Sequence, residues 1–216
     1  MNFAELTNVQ ITILALLSTI IVVSVLFLFQ PWFKKQYAIS NLNQIFNEKI
    51  HRYVLEKDYY LIPTVKVKLP GNRDVIIDHL VFGNKYIYAI KDLYFQGGLL
   101  GKGSDKEWSY YEYKYQHPKY RYIPNPFLLN RQRIEKLALV TGLDPTLFIS
   151  IILVNNEAMI NRIPVSEDNQ FIVNIRQFPR LVDAIESREV PPFKSQILDK
   201  AVIDINDMNM KNKKIK

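Results

Sequence analysis

An aspartate, a histidine and a lysine stand inside one of the most apolar stretches of the chain, VIIDHLVFGNKYIYAIK, Val75 to Lys91. Asp78 and His79 fall in the first apolar run, Lys91 closes the second, and Gly83-Asn84 between them is a tight hairpin signal. If Gly83-Asn84 is a two-residue turn, Phe82 faces Lys85, Leu80 faces Ile87 and Asp78 faces Ala89. Opposed residues of a hairpin share a face about 5 Å apart. Lys91, two residues beyond Ala89, shares that face, so Asp78 and Lys91 converge. With a second acid beside them, such a set would hold Mg²⁺ or Mn²⁺. Carboxylates ligate the hard cation, the metal polarises a phosphodiester and acidifies a water, and the lysine neutralises developing charge. Ala89 occupies the place where the second acid makes chemical sense. A salt bridge left on a sheet face accounts for the same two residues without chemistry. His79 points to the opposite strand face and reads as a satisfied structural histidine or as a ligand.

The elements that must position these residues follow from periodicity. Leu42, Ile45, Phe46, Ile50, Tyr53 and Val54 recur at helical spacing, which predicts an amphipathic helix over 40–57. Thr64 to Leu69 alternates as a half-buried strand, Pro70-Gly71-Asn72 turns the chain, and the Val75–Phe82 and Tyr86–Lys91 strands follow. A glycine-bearing loop, Gly97 to Gly103, precedes the aromatic stretch EWSYYEYKYQHPKYRYIP. Asn125-Pro126 starts a helix that ends near Gly142. LFISIILV, Leu147 to Val154, is apolar throughout, as in a strand covered on both faces. A short strand, QFIVNI, and helices over Gln177–Ser187 and Lys194–Ile205 complete the body. The expected fold class is α/β, a mixed central sheet flanked by helices, preceded by one N-terminal transmembrane helix.

That first helix is Ile11 to Phe29, which has no charged residue and is long enough to cross a hydrocarbon core of roughly 30 Å. Thr12, Ser18, Thr19 and Ser24 can bond back to their own helix, Pro31 is expected to stop it, and Trp32 suits the interface. A cleaved signal peptide would need a positive leader and a small-residue cleavage site; only Glu5 precedes the apolar run. Lys34, Lys35, Lys49 and Arg52 follow it, which predicts an outside N-terminus and a cytoplasmic body at the cell membrane. The predicted division is a tail over 1–10, the membrane helix over 11–30, a juxtamembrane linker over 31–41, the α/β domain over 42–205 and a basic disordered tail over 206–216.

The composition bounds the partners. Lys and Arg number 28 against 21 acids, a net charge of +7, which favours nucleic acid or an anionic membrane face. The absence of cysteine excludes a disulfide framework, a cysteine zinc site and a thiol nucleophile. Tyr113 and Tyr115 with Lys114, Lys119 and Arg121 could stack bases and hold phosphates; they could equally be edge strands with tyrosines packed flat. Arg131 on the following helix joins the nucleic-acid-binding candidates or belongs to a solvated face.

The stretch IDHLVFGNKYIYAIK, with GGLLG at Gly97 to Gly101, Trp108 and NPFLLN at Asn125 to Asn130, resembles the nuclease-related domain, NERD, a branch of the PD-(D/E)xK nuclease fold. The resemblance covers about residues 42 to 185 and implies a restriction-endonuclease-like sheet with a metal-dependent phosphodiesterase site. It also shows departures. The family glutamate of E-x-K falls at Ala89, the glutamine of N-P-x-x-Q at Leu129, and the early helical glutamate at Asn47. By this resemblance Asp78 would be the metal ligand and Lys91 the charge stabiliser, with Glu48 or Asp74 as substitute acid. Asp74 is expected on the face of Asp78, two pleats away, and Asp92 on the opposite face. Three readings follow. One is a membrane-anchored, catalytically impaired relative, without cofactor, that binds nucleic acid or an unknown protein partner. Another is an active Mg²⁺- or Mn²⁺-dependent nuclease acting on DNA with a displaced carboxylate. The third is an unrelated membrane scaffold or adaptor.

Overall fold

The computed structural model describes residues 8–69, 74–114, 117–160 and 169–210; the Pro70-Gly71-Asn72 turn, Tyr115 and the lysines of the C-terminal tail lie outside them. Two compact units result, residues 1–41 and 42–216. The first contains helix α1, Asn8–Ser40. Its segment Gln10–Lys34 is long and apolar enough to cross a membrane. Ser18 and Thr19 each donate to the Ala15 carbonyl at 2.8 Å, as expected of hydroxyls with no other partner. The expected stop at Pro31 does not occur. Pro31 lies inside the helix, and the predicted linker is helical to Ser40, where the Asn41 N–H bonds the Tyr37 carbonyl. A proline removes one intrahelical bond; the residues from Trp32 to Ser40 contain no further proline or glycine and resume the ladder.

In the second unit, α2 (Leu42–Lys57) precedes β1 (Tyr60–Lys68), β2 (Asp74–Phe82) and β3 (Ile87–Leu93). Next come β4 (Gly98–Leu100), β5 (Glu107–Lys114), β6 (His117–Pro124) and α3 (Pro126–Thr141). The chain ends in β7 (Phe148–Val154), β8 (Gln170–Asn174), α4 (Phe178–Glu186) and α5 (Ser195–Met208). The main sheet has the order β1-β2-β3-β7-β8, antiparallel through β3 and parallel beyond it. This is the mixed sheet the sequence predicts. β4, β5 and β6 form a second, antiparallel sheet, so the aromatic stretch builds its own layer and does not edge the main one.

Two cores cover the main sheet. α2 and α4 pack Phe46, Ile50, Tyr53 and Val182 on one face against Val81, Tyr88, Ile90 and Ile151. α3 and α5 pack Ile134, Leu137 and Ile205 on the other against Leu80, Phe82, Ile87 and Ala89. Trp108, Phe127, Leu99 and Ile152 join the small sheet to the large one. Gly142 closes α3 in the left-handed region at φ 69°, the conformation in which glycine carries no Cβ penalty. The domain extends past the predicted limit at 205. Asn209 is buried, accepts from the Lys66 N–H at 3.0 Å and donates to the Thr64 carbonyl at 3.2 Å, while the Met210 N–H donates to the Lys66 carbonyl. Asn209 and Met210 therefore satisfy the edge of β1 that no strand among the described residues covers.

The α2–α4 layer holds three tyrosines that burial keeps protonated. Tyr53 donates to Asp183 at 2.9 Å and Tyr88 to Glu186 at 2.6 Å. Desolvation first, then those carboxylates, push both phenols far up, and burial beside the same acids lifts Tyr59 to about 12. A phenol held protonated in the fold but free to ionise near 10 when unfolded stabilises fully below that pH. Stability is therefore expected to be level through neutral pH and to fall as pH rises above about 10. Denaturation midpoints between pH 8 and 11 check this, and Tyr53→Phe should flatten the alkaline limb; an unchanged limb in that variant would show the assignment to be wrong.

Candidate functional site

The hairpin register differs from the expected one. The Gly83 N–H bonds the Tyr86 carbonyl at 2.9 Å, and Phe82 pairs with Ile87, so the turn holds four residues. Leu80, not Asp78, stands opposite Ala89, and the same register places Asp78 opposite Lys91. A slip of two residues preserves the faces, where a slip of one would invert them. Asp78 and Lys91 therefore still converge, more closely than predicted. Lys91 Nζ donates to Asp78 Oδ2 at 2.6 Å, and the Asp92 N–H donates to the same oxygen at 3.0 Å. The Asp78 side chain is 9% exposed and that of Lys91 26%.

A kink in the first two strands decides where the other acids go. Val75 and Ile77 pack into the α3–α5 core, and so do Leu80 and Phe82; the alternation reverses at Asp78 and His79. The partner strand reverses at the same level, between Ile62 and Val65, with Thr64 at φ 54°. A β-branched residue in that region is an outlier that its surroundings must hold. Pro63 and the Asn209 bond to the Thr64 carbonyl do so here. As a result Asp74 does not share the face of Asp78. It points with the exposed Ile76 and pairs with Lys66 at 2.8 Å. Glu48 is not brought in either: it is exposed on α2, accepting from Gln44 one turn back. Asn47, where the resemblance implies the early helical acid, is half-buried on α2 with its Oδ1 unpartnered.

His79 and Asp92 lie on the α2 face, as the alternation predicts, and bind each other. Nε2 and Oδ2 are 2.6 Å apart, with the residues 2% and 4% exposed. Burial pushes the Asp92 carboxyl up, and its bond to His79 pulls it down. Asp92 was read only as an acid on the wrong face; its structural work is the backbone N–H that fixes Asp78, for which sequence gives no signal.

The downstream motif residues build the wall beside Lys91. Asn125 caps α3, accepting from the Phe127 N–H at 2.9 Å and donating to carbonyls of Gly103 and Asp105. Trp108 is fully buried, donates to the Lys102 carbonyl at 2.9 Å and meets Phe127 edge-on. Gly101 lies so close to the Trp108 ring that a side chain there would collide with it. Asn130, also fully buried, donates to the Ala89 carbonyl and to Ser150 Oγ, each at 2.9 Å. Between these elements Lys91 opens into a cavity of about 240 Å³ with Arg133, Leu129, Ile123, Phe95 and Pro126. Arg133 stands four residues from Leu129, the helical spacing that turns both to one side.

The predicted nucleic-acid residues separate by strand alternation. Lys119 and Arg121 share the β6 face of Ile123, while Tyr120 and Tyr122, 62% and 73% exposed, share the other with Tyr111 across the pair. Tyr113 and Lys114 stand near the end of β5. On the cation face Tyr110 stands opposite Arg121 and Glu112 opposite Lys119, so the exposed tyrosines and the cations do not form one mixed surface. Arg131 lies on another side of α3 from Arg133, lining a different cavity 3.9 Å from Glu135.

This donor set does not fit Mg²⁺ or Mn²⁺. Such cations take about six oxygens, of which one or two protein carboxylates must be free to ligate while waters and substrate phosphates supply the rest. One oxygen of Asp78 is committed to Lys91 and Asp92, Ala89 presents a methyl group, and among the described residues no three histidines or acids converge. What remains is a cation-bearing cavity beside a buried ion pair, on a sheet, helix and glycine-loop frame. No curated protein and no solved structure is significantly similar to the chain. The family model described as nuclease-related domain matches residues 35–155, more than half of the sequence, from α1 through β7. The match takes in Asp78, Lys91, Trp108, Asn125 and Asn130; β8, α4 and α5 complete the same sheet and its cores beyond it. The chain belongs to the nuclease-related domain family.

Proposed function

We propose that this chain is a membrane-anchored member of the family that binds nucleic acid on the cytoplasmic face and does not hydrolyse it. One observation carries the reading: among the described residues Asp78 is the sole carboxylate on this face of the site and is bound to Lys91, while Ala89 stands opposite Leu80. A lysine tied to the aspartate is an anion-binding edge more than a water-activating centre. Lys91 and Arg133 give the cavity its charge, and Arg121 and Lys119 continue outward along the β6 face that carries Ile123. Alternate residues on one strand face lie about 6.7 Å apart; Glu112 stands opposite Lys119 on that face, so Lys91, Arg133 and Arg121 are the cations best placed for a phosphate backbone. The net charge of +7 favours the same partner. Helix α1 is the anchor, oriented by the lysines and arginine that follow its apolar segment. A protein partner is a second reading, favoured by the exposed Tyr120 and Tyr122.

The full chain in lipid nanodiscs should bind labelled single- and double-stranded DNA with an affinity that falls linearly in log salt. Arg121→Ala and Arg133→Ala should each weaken binding and lower the salt slope by about one. No cutting is expected with Mg²⁺, Mn²⁺ or EDTA. Metal-dependent cutting lost in Asp78→Ala would establish a nuclease instead. No binding at low salt, with capture of a partner that Tyr122→Ser abolishes, would favour the protein reading.

A further inference from the structure

A second cavity, of about 380 Å³, opens on the α3-covered face of the sheet, and it does not include Lys91, Arg133 or Arg121. Its floor is formed by Ser150 on β7 and Gln170 on β8, which stand in register, with Ala89 of β3 next in the row beyond them. Asn130 covers the row from α3, donating to the Ala89 carbonyl and Ser150 Oγ. Ser150 and Gln170 line the cavity. Gln170 is 7% exposed, and its Oε1 is buried with no partner; so is Oδ1 of Asn130. An amide oxygen removed from water without a donor is costly, and buried polar groups are rarely left so. Rotating the Gln170 amide would exchange an unmet acceptor for an unmet donor and leave the deficit in place.

We infer that this cavity is a binding site for a nucleoside phosphate. The Gln170 carboxamide offers a donor and an acceptor in one plane, the pattern that pairs with a nucleobase edge. Ser150 accepts from Asn130 and so keeps its own proton to donate. Phe148 and Pro145 supply apolar walls for the faces of a planar ring. At the mouth, Arg131 and Glu135 stand 3.9 Å apart, each about half exposed, a loose pair that a ligand can open. Glu135 then accepts from ribose hydroxyls and Arg131 holds the phosphate. The rim is fixed by Arg188, which donates to Asn169 Oδ1 at 2.9 Å. An acyl chain would leave the amide unmet, inorganic phosphate would use Arg131 alone, and a nucleoside monophosphate uses every group. The volume lies within the range of ligand pockets. This site goes beyond the nucleic-acid reading and stands if that reading falls.

Saturation-transfer NMR and calorimetry on the full chain in nanodiscs, with AMP, GMP, CMP, UMP and inorganic phosphate as probes, test the inference. At least one nucleotide should bind, and phosphate alone should not. Gln170→Leu should weaken that binding about tenfold without lowering Tm, because an apolar isostere removes the unmet group. Should that variant misfold, Arg131→Ala, at an exposed position, should lose several-fold. A single-stranded oligonucleotide that competes with the nucleotide identifies the ligand as a strand end; one that does not identifies it as a free nucleotide. No nucleotide binding at millimolar concentration, or full affinity in both Gln170→Leu and Arg131→Ala, overturns the inference.

Discussion

Ala89→Glu is expected to cost the domain about 3–5 kcal/mol, the price of a buried charge without a partner, and to yield no nuclease. Ala89 is fully buried between Leu80 on one side and Ser150 on the other. Its carbonyl is bonded by Asn130, and Ile134 and Leu137 of α3 belong to its core. A longer side chain must displace that packing, which costs about 1–3 kcal/mol by itself. Its carboxylate then finds Lys91 already held at 2.6 Å by Asp78. Burial would raise the new acid above the ordinary 4.3 or so of a glutamate. Such a group binds a proton more readily folded than unfolded, so the penalty should be small below about pH 4 and grow as pH rises. The measurement is denaturation of the full chain in mild detergent, followed by Trp108 fluorescence in a Trp32→Phe background. Ala89→Gln should lie between the two, since it overpacks without a charge. If Ala89→Glu is as stable as the parent and cuts DNA with Mn²⁺, the site is an intact one lacking a single ligand, and the non-hydrolytic reading falls.

The second large effect concerns Asp78 and Lys91, and it is asymmetric. Lys91→Met should cost about 3 kcal/mol, because it strands a carboxylate that is 9% exposed. Asp78→Asn should cost only about 1–2 kcal/mol. It keeps an acceptor for the Asp92 N–H, and Lys91, 26% exposed, can turn its ammonium to water. The double variant should cost less than the sum, with a coupling of about 1–3 kcal/mol. Equal costs for the two single changes would contradict the burial difference on which the argument rests. A metal titration on the same proteins adds an independent check. Anything that binds the folded state stabilises it in proportion to the logarithm of its concentration. Mn²⁺ should therefore not raise the midpoint of the parent; a saturable rise that Asp78→Asn removes would make Asp78 a ligand.

Much of this was readable from residue order. Period-two alternation placed Asp78 with Lys91 and His79 with Asp92 on opposite faces, and that survived an error in turn length, because a register shift of two leaves parity alone. The apolar runs fixed the mixed sheet: FISIILV has no polar alternation because helices cover it on both sides. Asn125, Pro126 and Gly142 marked the ends of α3 by cap chemistry that acts within a few residues. The alanine at position 89, where the resemblance implies an acid, was equally plain.

What escaped the sequence depends on contacts between distant segments. The reversal of faces at Thr64 and Asp78 moved Asp74 to the wrong side. It is held by Asn209, far along the chain, and a rule that counts alternate residues cannot register it. The pairing of Arg133 with Lys91 at one cavity, and of Arg131 with Gln170 at another, needed α3 to be docked before neighbouring arginines could be told apart. Pro31 looked like a stop because propensity penalises proline locally, whereas the helix on both sides of it outweighs one lost bond. The sequence by itself determined which side chains share a strand face or a helix end, since covalent geometry sets those periods. Only the tertiary structure decided which acid reaches which cation and which polar atom is left without a partner. Those outcomes depend on burial and distance between elements that lie far apart along the chain.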